Sequence, residues 1–133
     1  LGDSFYEYLL KMWLMTDKKI ERFQKIYENA MDIVKEKMVK YSKPNDLLYL
    51  ASINPESGYV IHSMEHLACF AGGMFALGAI QGASSPQDME YAKNLTSTCH
   101  EMYIRQKTGI SPESVNFNHN SKTPLSPDFT SSS

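Results

Sequence analysis

The chain has 133 residues, 42% of them hydrophobic and 11% aromatic, with 13 Lys and Arg against 15 Asp and Glu for a formal net charge of −2. That length fits one domain, and the apolar content suffices for a core, which excludes a wholly disordered chain. The near-neutral balance argues against a nucleic-acid partner, and no apolar run reaches the roughly 18 residues a membrane span needs.

At the start, Leu1 stands where a natural N-terminus would carry Met, and it runs straight into a helical pattern, so the chain is expected to be a fragment. No charged-then-apolar secretory signal opens it. Asp3 or Ser4 is placed to cap a first helix. Phe5, Leu9, Met12 and Trp13 recur at helical spacing, with Leu10 and Leu14 widening the stripe. Thr16-Asp17 interrupts it. A long amphipathic helix follows, with Ile20, Phe23, Tyr27, Ala30, Met31, Val34, Met38 and Tyr41 on one face and charged side chains on the other.

Lys43-Pro44-Asn45-Asp46 is a break. Leu47 to Ile53 and Gly58 to His62 read as two short strands joined by the turn Asn54-Pro55-Glu56-Ser57. A third helix should begin near Met64 or Glu65 and run through Leu67, Phe70, Met74, Leu77 and Ile80, its Gly72 and Gly73 allowing close approach of a neighbour. Gly82 to Pro86 closes that helix and starts a fourth, with Ser85 as cap and Pro86 in the first turn. Met89, Ala92, Leu95 or Thr96, Cys99, Met102 and Tyr103 mark its apolar face. Residues 106–133 hold seven serines and three prolines, and from Ser121 onward the chain reads as a disordered or foreign tail. The order is helix, helix, hairpin, helix, helix. Inner faces this rich in Phe, Trp, Tyr and Met would stay exposed unless further helices covered them, and such a layer is a natural slice of an (α/α) toroid.

Two constellations carry chemistry. His62-Ser63-Met64-Glu65-His66 matches the H-x-x-E-H pattern of inverted zinc proteases, but that chemistry needs both rings on one helical face, and His62 ends a strand-like run. A further ligand would have to come from Glu90, Glu101 or Glu113. Phe5-Tyr6-Glu7-Tyr8 sets a carboxylate among aromatic rings, an arrangement sugar sites use: rings stack on the pyranose and carboxylates accept its hydroxyls. The plain readings are a cap for Asp3, a salt-bridge partner for Glu7 and a helix-starting turn for Glu113. Cys69 and Cys99, thirty positions apart, are either two buried thiols or a disulfide between neighbouring helices. Asn94-Leu95-Thr96 is a glycosylation sequon lying mid-helix.

Four segments together resemble one family. Leu1-Gly2-Asp3-Ser4-Phe5-Tyr6-Glu7-Tyr8-Leu9-Leu10-Lys11 resembles the D-S-[FY]-Y-E-Y-L-L-K signature of the class I α-1,2-mannosidases, glycoside hydrolase family 47. The run from His66-Leu67-Ala68-Cys69-Phe70 to Ala79 resembles the family's H-L-x-C-F segment, Thr98-Cys99-His100-Glu101-Met102-Tyr103 its T-C-x-E-x-Y segment, and Thr108-Gly109-Ile110-Ser111-Pro112-Glu113 its G-L-x-P-E turn. The likeness covers residues 1–118 and leans to the Golgi members through Trp13-Leu14-Met15-Thr16-Asp17-Lys18 and the Ala-Gly-Gly-Met-Phe run.

The resemblance implies an all-α fold, two of the seven helical pairs of an (α/α)7 barrel with a short β-hairpin between them. It implies a luminal, calcium-dependent, inverting enzyme of the Golgi or endoplasmic reticulum, its parent a type II membrane protein, that trims α-1,2-linked mannose from high-mannose N-glycans. Asp3 resembles an essential acid on the acid or proton-relay side, and His66 and Glu113 resemble residues of the mannose pocket. Glu7 belongs to the same signature and counts as substrate-binding. Leu1 resembles a specificity position, an arginine in the reticulum type. Cys69 and Cys99 match the family's structural disulfide. The family's other essential glutamate would lie before Leu1, and its water-activating R-P-E glutamate and calcium-binding threonine after Glu113, so the chain by itself is expected to be inactive. The segment after Asn118 does not continue the family pattern. A non-catalytic, lectin-like relative is the competing function, and a helical interaction module with no site is the third.

Overall fold

The computed structural model describes residues 4–120 and 127–131. Helices α1 (Phe5–Met15) and α2 (Glu21–Lys37) pack against one another, as do α3 (Phe70–Gln81) and α4 (Asp88–Ile104). Among the described residues, seven short strands stand between and after them: β1 (Val39–Tyr41), β2 (Leu48–Leu50), β3 (Ser52–Ile53), β4 (Val60–Ile61), β5 (Ser63–Glu65), β6 (Ser114–Phe117) and β7 (Phe129–Ser131). All pair antiparallel, in the orders β1-β2, β3-β4 and β5-β6-β7.

The fold is therefore mainly helical, with more sheet than one hairpin. The expected hairpin exists as β3 and β4 in the register Ser52↔Ile61, its turn closed by the Asn54 side chain accepting the Glu56 and Ser57 amides. Three departures have one physical cause, pairing with distant segments. The second helix stops at Lys37 instead of Tyr41, because Val39–Tyr41 pairs with Leu48–Leu50, two runs rich in branched and aromatic side chains. The third helix starts at Phe70 after a 3-10 turn at His66–Cys69, because Ser63–Glu65 is taken by β6 in the register Met64↔Val115. The expected tail is not a tail over 127–131: Phe129–Ser131 pairs with β6, and Asp128 is fully buried. Residues 121–126, 132 and 133, also assigned to that tail, lie outside the described residues.

One apolar core joins both helical pairs to the strands through Leu10, Trp13, Tyr27, Met31, Tyr49, Met64, Phe75, Leu95, Met102 and Val115. Burying each such side chain is worth about 1.5–3 kcal/mol before entropy is counted. The α1 stripe is narrower than its spacing suggests: Leu9, Leu10 and Trp13 are buried, whereas Phe5 and Met12 stay exposed on the opposite side with Tyr8 and Met15. On α3 the inward face is Gly72, Met74, Phe75 and Gly78, and the expected Leu67, Phe70 and Ile80 point outward. A helix apolar on every side wants cover on every side.

Glycine decides two approaches. A Cβ on Gly72 would lie 2.7 Å from the Thr96 hydroxyl of α4, so Gly72 permits the α3–α4 contact, whereas nothing stands within 4 Å at Gly73. A Cβ on Gly78 would meet the Tyr27 ring and hydroxyl, and that hydroxyl donates to the Met74 carbonyl at 3.1 Å, fixing α2 on α3. Gly82, at φ 76°, ends α3 in the left-handed conformation while the Ala83 amide returns to the Gly78 carbonyl. Cys69 and Cys99 are bonded, tying the 3-10 turn to α4. Closing a loop of 30 residues contributes about 3–4 kcal/mol in the chain-entropy picture.

Candidate functional site

Pairing of β5 with β6 brings two of the candidate residues together. The strand delivers its last residue, Glu65, opposite Ser114, and the His66 amide then donates to the Glu113 carbonyl at 2.7 Å. That bond pairs the backbones of His66 and Glu113 where the strands end. The Glu113 carboxylate is on an exposed residue beside Glu65, also exposed. The His66 Nε2 makes a short hydrogen bond with the Tyr103 hydroxyl, and the two rings meet edge to face with centroids 5.4 Å apart. Because the disulfide fixes Cys69 to Cys99, the turn bearing His66 and the helix bearing Tyr103 cannot slide past one another.

The other candidates stand apart from that edge. Glu7 pairs with Lys11 one turn along α1, the only bond its carboxylate makes among the described residues. Leu1 and Asp3 lie outside the described residues. His62 and His66 share no helical face: His62 follows β4, while His66 opens the 3-10 turn. The Tyr49 hydroxyl and the His62 Nδ1 are 2.7 Å apart, and the His62 ring stacks on His119 at 3.6 Å. The helical pairing of the two rings that the zinc-protease pattern needs is therefore not formed, and among the described residues no three His, Cys, Asp or Glu side chains gather to hold a metal ion.

Asp128, read as tail, proves to be the most heavily bonded carboxylate among the described residues. It accepts from the Ser42 hydroxyl at 2.7 Å, from the Asn45 amide at 2.9 Å and side chain at 2.7 Å, and from Arg105 Nη1 at 2.8 Å. Arg105 also reaches back to Glu101 at 2.6 Å and lies over the Phe129 ring. Burial alone would raise the Asp128 pKa, but the bonds from Asn45, Arg105 and Ser42 outweigh it and hold the carboxyl at about 2. Nothing local in Ser126-Pro127-Asp128 signals this role, since every partner is at least 23 positions away. Tyr49 is the second residue missed. It is fully buried, stacked on Phe117 at 4.0 Å, and burial lifts its hydroxyl to about 12. His62 is pushed below its ordinary 6.5 by burial first, then by His119 and Lys40.

An open groove of about 510 Å³ runs between α3 and α4, lined by Gly72, Ala76, Met89, Ala92 and Thr96 among others, and none of the predicted site residues borders it. Its small apolar lining suits a packed helix better than a sugar.

A family model, glycosyl hydrolase family 47, matches residues 1–132. The chain belongs to that family. It is 45% identical over 122 residues to a mannosyl-oligosaccharide alpha-1,2-mannosidase IA of Spodoptera frugiperda, covering 90% of this chain and 18% of that protein. It is 41% identical over 119 residues to the human mannosyl-oligosaccharide 1,2-alpha-mannosidase IB, covering 88% and 18%. Its fold superimposes on the alpha-1,2-mannosidase from Trichoderma reesei with a TM-score of 0.80 at 24% identity, over 97% of this chain and 29% of that one. The chain thus spans about a fifth of the length of these curated relatives. The family match runs through Asp128 and the strand after it, so those residues are family sequence.

Proposed function

We propose that these residues form one part of a calcium-dependent inverting glycosidase that releases α-1,2-linked mannose from high-mannose N-glycans. The observation that carries the reading is the β5–β6 edge, which presents His66 and Glu113 side by side on a member of family 47. In this reading α1–α2 and α3–α4 are two of the pairs of an (α/α)7 barrel. The apolar outer surfaces at Phe5, Tyr8, Phe70 and Ile80 fit that role, since neighbouring helices would cover them.

Inversion needs one carboxyl to protonate the leaving oxygen and another to activate water on the opposite face of the sugar. Asp3 serves on the acid or proton-relay side. Glu113 accepts sugar hydroxyls, a task that suits a carboxylate whose backbone is already pinned by the sheet. His66, its ring held by Tyr103, faces the same hydroxyls. Glu7 lies within the same signature, on α1 ahead of the buried Trp13, and Leu1 supplies an apolar wall where a cation would restrict the branches admitted. The water-activating glutamate belongs to the family's R-P-E segment, which this chain does not contain. Calcium takes six to eight oxygen ligands as a rule, and among the described residues no three His, Cys, Asp or Glu side chains gather to hold an ion. Its threonine ligand belongs to another part of the enzyme.

The compartment is the lumen of the Golgi or endoplasmic reticulum, with the parent a type II membrane protein, a setting in which the Cys69–Cys99 bond persists. Among the described residues no helix is long and apolar enough to cross a membrane. The test is glycan release by the full-length protein carrying Asp3→Asn. Mannose release lost with glycan binding kept supports the enzyme. A wild-type protein that binds the glycan without trimming it is the lectin-like relative instead, and a variant unchanged in both contradicts the site. The 133-residue chain alone is expected to release no mannose.

A further inference from the structure

The polar side of α4 carries a feature the mannose site does not use. The helix has three faces. Leu95, Thr98, Cys99 and Met102 are buried in the core, and Met89, Ala92, Thr96 and His100 border the groove shared with α3. Glu90, Asn94, Glu101 and Arg105 recur at steps of four, seven and four along the third face. Asn94 is exposed there and begins Asn94-Leu95-Thr96, a sequence acceptable for N-glycosylation.

We propose that Asn94 is an N-glycosylation site and that its glycan is added before α4 folds. The order follows from the folded geometry. Leu95 is fully buried, and the Thr96 hydroxyl donates to the Ala92 carbonyl at 2.8 Å while packing against Gly72. A sequon held in this way cannot bend into a transferase site, and its hydroxyl is already committed. Once added, the glycan is carried into solvent, because Asn94 points away from both the core and the apolar groove. Mid-helix placement therefore limits when the reaction happens and leaves the product compatible with the fold. The Asn94 side-chain nitrogen bonds to the anomeric carbon of an oligosaccharide carried on a lipid pyrophosphate. The carbon–oxygen bond to the pyrophosphate breaks, the amide gives up one proton, and nothing is oxidised or reduced.

This inference rests on the luminal reading above, so the test separates the two. The full-length protein is produced in eukaryotic cells, treated with a glycan-releasing amidase that leaves aspartate at each former attachment point, and mapped by peptide mass. Three variants accompany it: Asn94→Gln, Thr96→Val, which keeps the side-chain shape but removes the hydroxyl, and Thr96→Ser, which keeps the hydroxyl. A fourth, P55A/E56T, turns Asn54 in the exposed β3–β4 turn into an acceptor. The expected result is aspartate at position 94 after release in the wild type and in Thr96→Ser, with one glycan fewer in Asn94→Gln and Thr96→Val. Modification of Asn54 in P55A/E56T with position 94 bare overturns the inference and leaves the luminal reading standing. Both positions bare overturns the two together.

Discussion

Asp128 and Glu113 sit at opposite ends of the same small sheet and do opposite things with a carboxylate. Asp128 is buried and takes hydrogen bonds from Ser42, Asn45 and Arg105, so it has little capacity left for a ligand. Glu113 spends only its backbone carbonyl on the fold, through His66, and keeps an exposed carboxylate. The two are mechanically joined. Asp128 leads into β7, β7 pairs with β6, and β6 begins beside Glu113 and fixes β5 before His66. Arg105, on the Asp128 side, lies two positions after Tyr103, which holds the His66 ring. The Asp128 network and the His66 ring are thus joined through the same sheet and the same helix end.

The sharpest way to break the contrast is Asp128→Ala in the full-length protein. It strands the Arg105 guanidinium and three other donors, and a loss of about 3–5 kcal/mol is expected from the denaturation midpoint. Acid should erode the same contribution. The folded carboxyl sits at about 2 against an ordinary 3.8, so its stabilisation is complete above the ordinary value and is lost as pH falls through about 2. Asp128→Asn should remove that dependence. Next in size, Gly72→Ala should cost about 1–3 kcal/mol by forcing a methyl against Thr96. Gly73→Ala, with open space around it, should instead gain up to about 1 kcal/mol of helix propensity. Equal effects at the two glycines would refute the packing assignment.

His62 gives a milder, pH-read comparison. Its folded value lies below 6.5, so the neutral ring favours the fold, and stability should decline as pH drops below that value; His62→Gln should flatten the decline. Smallest of all, Tyr103→Phe should cost at most about 0.5–1.5 kcal/mol of stability, because its hydroxyl bond is exposed. Its larger effect should fall on mannose release, through a looser His66 ring.

What the sequence made legible follows the range of the interactions involved. Helical periodicity located α1, α2 and α4 because it is a local signal, and Asn54-Pro55-Glu56-Ser57 marked the β3–β4 turn for the same reason. Periodicity misjudged the inward face of α3, since a helix apolar on every side has no stripe to read. The Cys69–Cys99 bond was one of two open alternatives from spacing and became the expectation only through the family likeness. His66 and Glu113 emerged as candidates from short motifs, yet their adjacency depends on β5–β6 pairing across some fifty positions, which no window contains. Asp128 was illegible because a Ser- and Pro-rich neighbourhood carries the composition of a tail whatever its partners elsewhere do.

In the proposed enzyme, the open edge at His66 and Glu113 would meet the substrate and the Asp128 network would only support it. That division is tested most directly by the rate of α-1,2-mannose release from full-length His66→Ala and Glu113→Gln, measured beside their denaturation midpoints. Release should slow by about a hundredfold or more, with each midpoint within about 1 kcal/mol of the wild type. Undiminished release from both variants, or losses that track unfolding, would contradict that division.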